Sequence, residues 1–303
     1  MNKTYSDNTL SLALVLSAAA WGLYWYPLRA IEDVGIAGTW SVVFFNICPL
    51  IVLLPLLAFN YKKLIGIFWP TMLASVLIGL AFTFYANGLI ETTIVRATML
   101  YYLTPVWSTI VGVVWLSEPL TRARIISFAV AFLGLFLILS DGGESTAHPL
   151  NIGDVYSLLS GIFWAFGVAT LNRWSNIPIL PLATFIFLST TAFSAFFAGV
   201  LYADSAPLPD LSMLKAAFPT AAFWSIVVLL PCFCIIFRVS QQLFPGRVGI
   251  LAMSEVVVAI ISAAILVPEE SMVLIQWVGA VAIISAALIE VVFGYSKDNT
   301  QPS

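Results

Sequence analysis

Glu255 is the only acid well inside an apolar span, in RVGILAMSEVVVAIISAAILVPE (residues 247–269). A carboxylate at the centre of a membrane helix costs roughly 2.5–3.5 kcal/mol, so it must be paired, wetted by a cavity or protonated. Held in that way it can exchange a proton or face a cation; the competing reading is a packing contact with Arg238 or Arg247. Trp21 in AAAWGLY and Trp164 in GIFWAFG each lie about 15 Å into a helix that rises 1.5 Å per residue. That depth is near the midplane of a hydrocarbon layer about 30 Å thick, away from the interfacial belts where membrane tryptophans gather. There an indole N–H finds a partner and a flat apolar substrate stacks on the ring. Tyr101, Phe82 and Tyr85 join them from neighbouring spans, and together they make a candidate substrate-binding set. Pro105 and Pro231 stand inside apolar helices, where a missing N–H frees the carbonyls of Tyr101 and Val227. A freed carbonyl in lipid should face protein or a wet cavity, so both prolines are candidate hinges, with an ordinary structural kink as the alternative.

The elements that must position these residues are membrane helices. The chain is 61% hydrophobic and 9% charged, against about 25% charged residues in soluble domains. Its mean hydropathy is +1.03. Hydropathy predicts ten spans, at 10–28, 39–59, 67–86, 97–116, 125–140, 155–174, 180–202, 214–237, 248–267 and 272–293. The fold class is therefore all-α and polytopic, with membrane lipid as its surroundings. A net charge of −3 gives no basic footprint for nucleic acid. Cys48, Cys232 and Cys234 sit in apolar runs and read as buried hydrophobes. His148 lies alone in the midpoint loop, and Glu269-Glu270 reads as solvated loop charge. No zinc-protease, nucleophile-elbow or phosphate-loop motif is present, so an enzyme, a metal, a cofactor and ATP coupling are not expected.

The chain also looks duplicated. Residues 96–118 (RATMLYYLTPVWSTIVGVVWLSE) align without a gap on 247–269, pairing Tyr101 with Ala252, Thr104 with Glu255 and Glu118 with Glu269. Each copy carries a stripe at i, i+3, i+4 spacing, Ala97, Tyr101, Thr104, Ser108 and Gly112 in one, Val248, Ala252, Glu255, Ala259 and Ser262 in the other. Trp21 pairs with Trp164, and Asn87 with Arg238 in the register of the first pair. This divides the chain into a first five-helix repeat (10–140), an outer linker (141–154) and a second repeat (155–293). With a cytoplasmic N-terminus, Lys3, Lys62, Lys63, Arg122, Arg124, Arg173, Arg238, Arg247 and Lys297 fall inside, and only Arg29, Arg96 and Lys215 outside. Positive-inside bias thus predicts both termini in the cytoplasm. Five is odd, so the second repeat enters from the opposite side, the inverted topology from which secondary transporters build alternating access.

LTPVWSTIVGVVWLSEPL (103–120), with Pro-Val thirteen residues before a glutamate, followed by AFLGLFL, resembles the ten-helix EamA-like branch of the drug/metabolite transporter superfamily. MSEVVVAIISAAILVPEE and QWVGAVAIISAAL resemble the same pattern in the second half. Two departures stand out: Val256 where the family often has proline after the glutamate, and Ser127 where glycine is usual. The resemblance implies a secondary transporter of the cytoplasmic (inner) membrane exporting amino acids or other metabolites, working as a monomer. The abundance of aromatic residues is similar to that of its aromatic amino-acid exporters. Spans one, three, four, six, eight and nine are then expected to line a central cavity, with helix ends and freed carbonyls holding the zwitterion. The rivals are an exporter of another solute class, such as a hydrophobic cation or a sugar derivative, and a passive facilitator or scaffold.

Overall fold

The computed structural model describes residues 5–36, 38–64, 66–92, 97, 100–139, 151–201, 203, 207–266 and 274–293. Lys3, Arg96, His148, Glu269, Glu270, Lys297 and most of the linker lie outside them. Among the described residues the chain is helical, with no strand. The helices are α1 (Asp7–Trp21), α2 (Trp25–Glu32), α3 (Thr39–Phe59), α4 (Phe68–Glu91), α5 (Thr104–Leu116), α6 (Arg122–Leu139) and α7 (Ile152–Arg173). They continue as α8 (Ile179–Phe196), α9 (Leu211–Ala222), α10 (Leu230–Ser240), α11 (Pro245–Ala252), α12 (Ser254–Leu266) and α13 (Leu274–Phe293). Six helical stretches, Asp7–Glu32, Thr39–Phe59, Phe68–Gly88, Ile152–Arg173, Ile179–Leu201 and Leu211–Ser240, are long and apolar enough to cross a membrane. α5 and much of α13 are shorter apolar helices.

Local chemistry sets the helix starts. Asn151 and Asp154 form a reciprocal capping box at α7, with each side chain bound to the other's backbone N–H at 3.0 Å. Asp210 caps α9 by accepting from the N–H groups of Ser212 and Met213 at 2.8 and 3.0 Å. The outer faces carry bare Leu, Ile, Val and Phe, such as Leu16, Phe59, Val114 and Phe293, while serines and threonines are buried between helices. That inside-out distribution suits a lipid surround.

Two predicted spans need correction. Span four is not one helix with Pro105 in its interior: the chain turns at Tyr102–Leu103, and Pro105 stands in the first turn of α5. A proline there costs nothing, because the first helical N–H groups have no intrahelical partner. Span nine is likewise split, with a turn at Met253 between α11 and α12. In the gapless pairing of the two copies, Tyr102 falls on Met253. Span one is also interrupted, at 22–24 between α1 and α2. Span eight, by contrast, runs through Pro231 as one 30-residue stretch, Leu211–Ser240. A π-helical segment, Phe223–Leu229, absorbs the proline: the N–H of Leu230 reaches the Ser225 carbonyl, five residues back. Pro231 itself is exposed.

The packing has a pattern. α4 lies against α7 and α8, while span eight lies against α1 and α3. α5 lies against α7, as α12 lies against α1. α3 packs on α8, α5 on α11 and α6 on α13. Exchanging the first five spans for the last five, in order, maps this set of interfaces onto itself: six exchange in pairs, and the α3–α8, α5–α11 and α6–α13 interfaces each map onto themselves.

Candidate functional site

The three interrupted spans meet at one place. A cavity with about 290 Å³ of empty volume lies there, lined by Tyr101, Tyr102, Thr104, Pro105, Trp164, Gly249, Ala252, Met253 and Glu255. Glu255 belongs to the first turn of α12, where the positive end of the helix dipole suits a carboxylate. The Tyr102 hydroxyl lies in hydrogen-bonding range of its carboxyl. The two arginines that were alternative partners bond elsewhere: Arg247 Nε donates to Ser11 Oγ at 3.1 Å and Arg238 to Gln241 Oε1 at 3.1 Å. Gly22, at the interruption of span one, lies on the backbone of Glu255; a β-carbon at 22 would overlap the Glu255 carbonyl oxygen and stand 3.0 Å from the Ala259 nitrogen. Only glycine lets spans one and nine cross so closely.

The carbonyl of Tyr101, left outside the helical ladder by the turn at Tyr102–Leu103, accepts from Thr104 Oγ1. The polar debt of the broken helix is thus met inside the cavity wall. Tyr101 stacks obliquely on Tyr85, with ring centroids 4.4 Å apart, and edge-on against Tyr102 at 5.1 Å. Beyond Trp164, which is only 6% exposed, a second ring group begins: Trp164 meets Phe82 at 5.7 Å, and Phe82 meets Trp21 at 5.8 Å. Trp21 in turn contacts Phe233 at 4.2 Å and stacks on Tyr24 at 4.6 Å.

Of the residues singled out in the sequence, Tyr101, Pro105, Trp164 and Glu255 line the cavity itself. Phe82 adjoins it through Trp164 and Tyr85 through Tyr101, while Trp21 stands one ring further out, against Phe82. Pro231 stands apart. Tyr102, Met253, Phe233 and Gly22 were not anticipated. The register pairing of Tyr102 with Met253 was the available signal for the first two, since both sit at the matching turns. No group of three or more His, Cys, Asp or Glu among the described residues could hold a metal ion. The cysteines are free thiols, Cys48 buried and Cys232 and Cys234 half-buried.

An all-helical bundle with an apolar outer surface and helices long enough to cross a membrane defines a polytopic membrane protein, with a small cavity where three spans break. Residues 9–140 match the EamA-like transporter family, so the first half of the chain is similar to transporters of that family. A solved crystal structure of another protein superposes over 95% of this chain and 97% of its own length, with a TM-score of 0.70 at 15% identity; the likeness is one of fold. No curated protein matches the chain.

Proposed function

We propose that the protein is a secondary transporter that exports amino acids, aromatic or bulky apolar ones, across the cytoplasmic membrane by alternating access. The observation that carries this reading is the cavity itself, which joins three aromatic rings, a carboxyl and broken helix ends. Broken helices expose backbone dipoles able to hold a zwitterion, and the rings offer faces for an aromatic side chain. Residues 10–140 and 155–293 act as inverted five-helix repeats about the linker at 141–154, a reading supported by the exchange symmetry of the interfaces and the matching turns at Tyr102–Leu103 and Met253. Both termini are cytoplasmic, and a chain carrying both orientations internally works as a monomer. Glu255 is the proton-coupling carboxyl, while Pro105 and Pro231 are hinges.

A second reading has its own support: among the described residues the cavity lining includes Glu255 and no lysine or arginine, as an exporter of hydrophobic cations would require. Efflux of labelled phenylalanine, tryptophan and threonine from proteoliposomes, with and without a pH gradient, separates the two. Saturable amino-acid efflux whose pH dependence is lost in Glu255→Gln is the expected result. Flux of a hydrophobic cation, but of no amino acid, replaces the first reading by the second, and no flux of either sinks both.

A further inference from the structure

We infer that the Glu118 carboxylate is the bolt of the gate at one end of the cavity, the cytoplasmic end in the orientation proposed above, on which reading the inference rests. α5 ends in a residue with left-handed backbone, Ser117 at φ 54°, and the N–H of Glu118 returns to the Gly112 carbonyl at 3.0 Å. That reversal folds the Glu118 side chain back over its own helix. Gly112 leaves the room for it, since a β-carbon there would overlap Oε2. The carboxylate then reaches across to span nine, where the N–H of Gly246, in the first turn of α11, donates to Oε2 at 3.2 Å. Gly246 must also lack a side chain: its β-carbon would stand 2.6 Å from Thr109 Oγ1 and 3.0 Å from Glu118 Oε1. Arg124 of α6 closes the ion pair, and both side chains are buried, Glu118 at 2% exposure and Arg124 at 0%.

The next residue extends the closure. Arg247, 2% exposed, donates through Nε to Ser11 Oγ of α1, and Ser11 donates to the Asp7 carbonyl at 2.7 Å. Spans one, four, five and nine are therefore tied together at one end. Spans four and nine exchange places in the interface pattern, so motion between the halves must work on this crossing.

The second half repeats the acid but not its seat. In the register that pairs Glu118 with Glu269, Gly112 falls on Ala263, Gly246 on Val95 and Arg124 on Ile275. Neither glycine nor the base is duplicated, so the bolt is one-sided and biases the transporter toward closure at the Glu118 end.

The test labels a cavity cysteine, Ala252→Cys, in the full chain with Cys48, Cys232 and Cys234 replaced by serine. A membrane-impermeant maleimide is applied from either face of vesicles, and protease cutting at Lys62 reports which face is which. Glu118→Gln and Gly246→Ala, the second leaving the charges intact, should each raise the labelling rate from the Lys62 face about tenfold or more relative to the other face. An unchanged ratio in folded Gly246→Ala protein, or a shift toward the opposite face, overturns the inference, even if Glu118→Gln fails to fold. A merely stabilising ion pair would lower the melting temperature without moving that ratio. Labelling does not depend on flux, so loss of the transport reading and loss of the gate are seen separately. If Lys62 proves to be external, the orientation fails and the bolt stands at the other membrane face.

Discussion

Thr104→Val tests the account of the broken span most directly. The turn at Tyr102–Leu103 leaves the Tyr101 carbonyl outside the helical ladder, and the Thr104 hydroxyl donates to it. Valine has the same shape without the hydroxyl, so the variant strands a carbonyl beside a side chain only 5% exposed. Leaving a buried acceptor without its donor costs about 1–3 kcal/mol. A change of 1 kcal/mol moves the melting temperature by about 2–4 °C in chains of 150–250 residues and by less in a longer one, so a loss on the order of 3–6 °C is expected in detergent, followed by tryptophan fluorescence. Thr104→Ser, which keeps the hydroxyl, should stay near wild type. The matched control is Ser108→Ala one turn further on: the Ser108 hydroxyl is buried with no hydrogen-bond partner among the described residues, so removing it should be neutral or slightly stabilising. If Thr104→Val melts within 1 °C of wild type, or no lower than Ser108→Ala, the hydroxyl is not what satisfies the break.

Glu118→Ala removes half of a buried ion pair and should cost about 3–5 kcal/mol, whereas Glu118→Leu with Arg124→Leu should recover most of that loss; a double-mutant cycle on unfolding free energies measures the coupling. Gly22→Val drives a side chain into the Glu255 carbonyl, so it should abolish flux in proteoliposomes and lower the melting temperature, and normal flux would contradict the close crossing of spans one and nine. Asp210 has its carboxyl held below its ordinary value by the Ser212 hydroxyl first and the Met213 N–H second. Its folded pKa is the lower one, so the cap is fully present above the ordinary carboxylate pKa and is lost as pH falls below it; hydrogen exchange at the start of α9 should quicken only in that acidic window.

What the sequence made legible follows from cost. A buried acid and midplane tryptophans are expensive or unusual in lipid, so Glu255, Trp21 and Trp164 could be named before any coordinates, and all three lie at or beside the cavity. Tyr102 was hidden by the assumption of a continuous helix. At 100° per residue, Tyr101 and Tyr102 cannot share one face, but the turn at Tyr102–Leu103 resets the direction and both rings line the cavity. The break at Met253 has no proline to announce it and shows only as the counterpart of the proline-marked break. At Pro231 the sequence did not show the local winding: hydrogen bonding five residues back adds a residue to the preceding turn, and the helix continues through the proline.

Thr104 and Glu255 occupy the same position in the two copies, each beginning the second segment of a broken span, and both line the cavity. Thr104 uses its side chain to satisfy its own half's freed carbonyl. Glu255 is followed by Val256 rather than proline, and the Val256 N–H donates to the Met253 carbonyl at 3.1 Å, so the turn of the second copy is closed by backbone alone. A near-symmetric scaffold thereby carries a one-sided site: its backbone-repair residue is in the first half, and its charge is in the second.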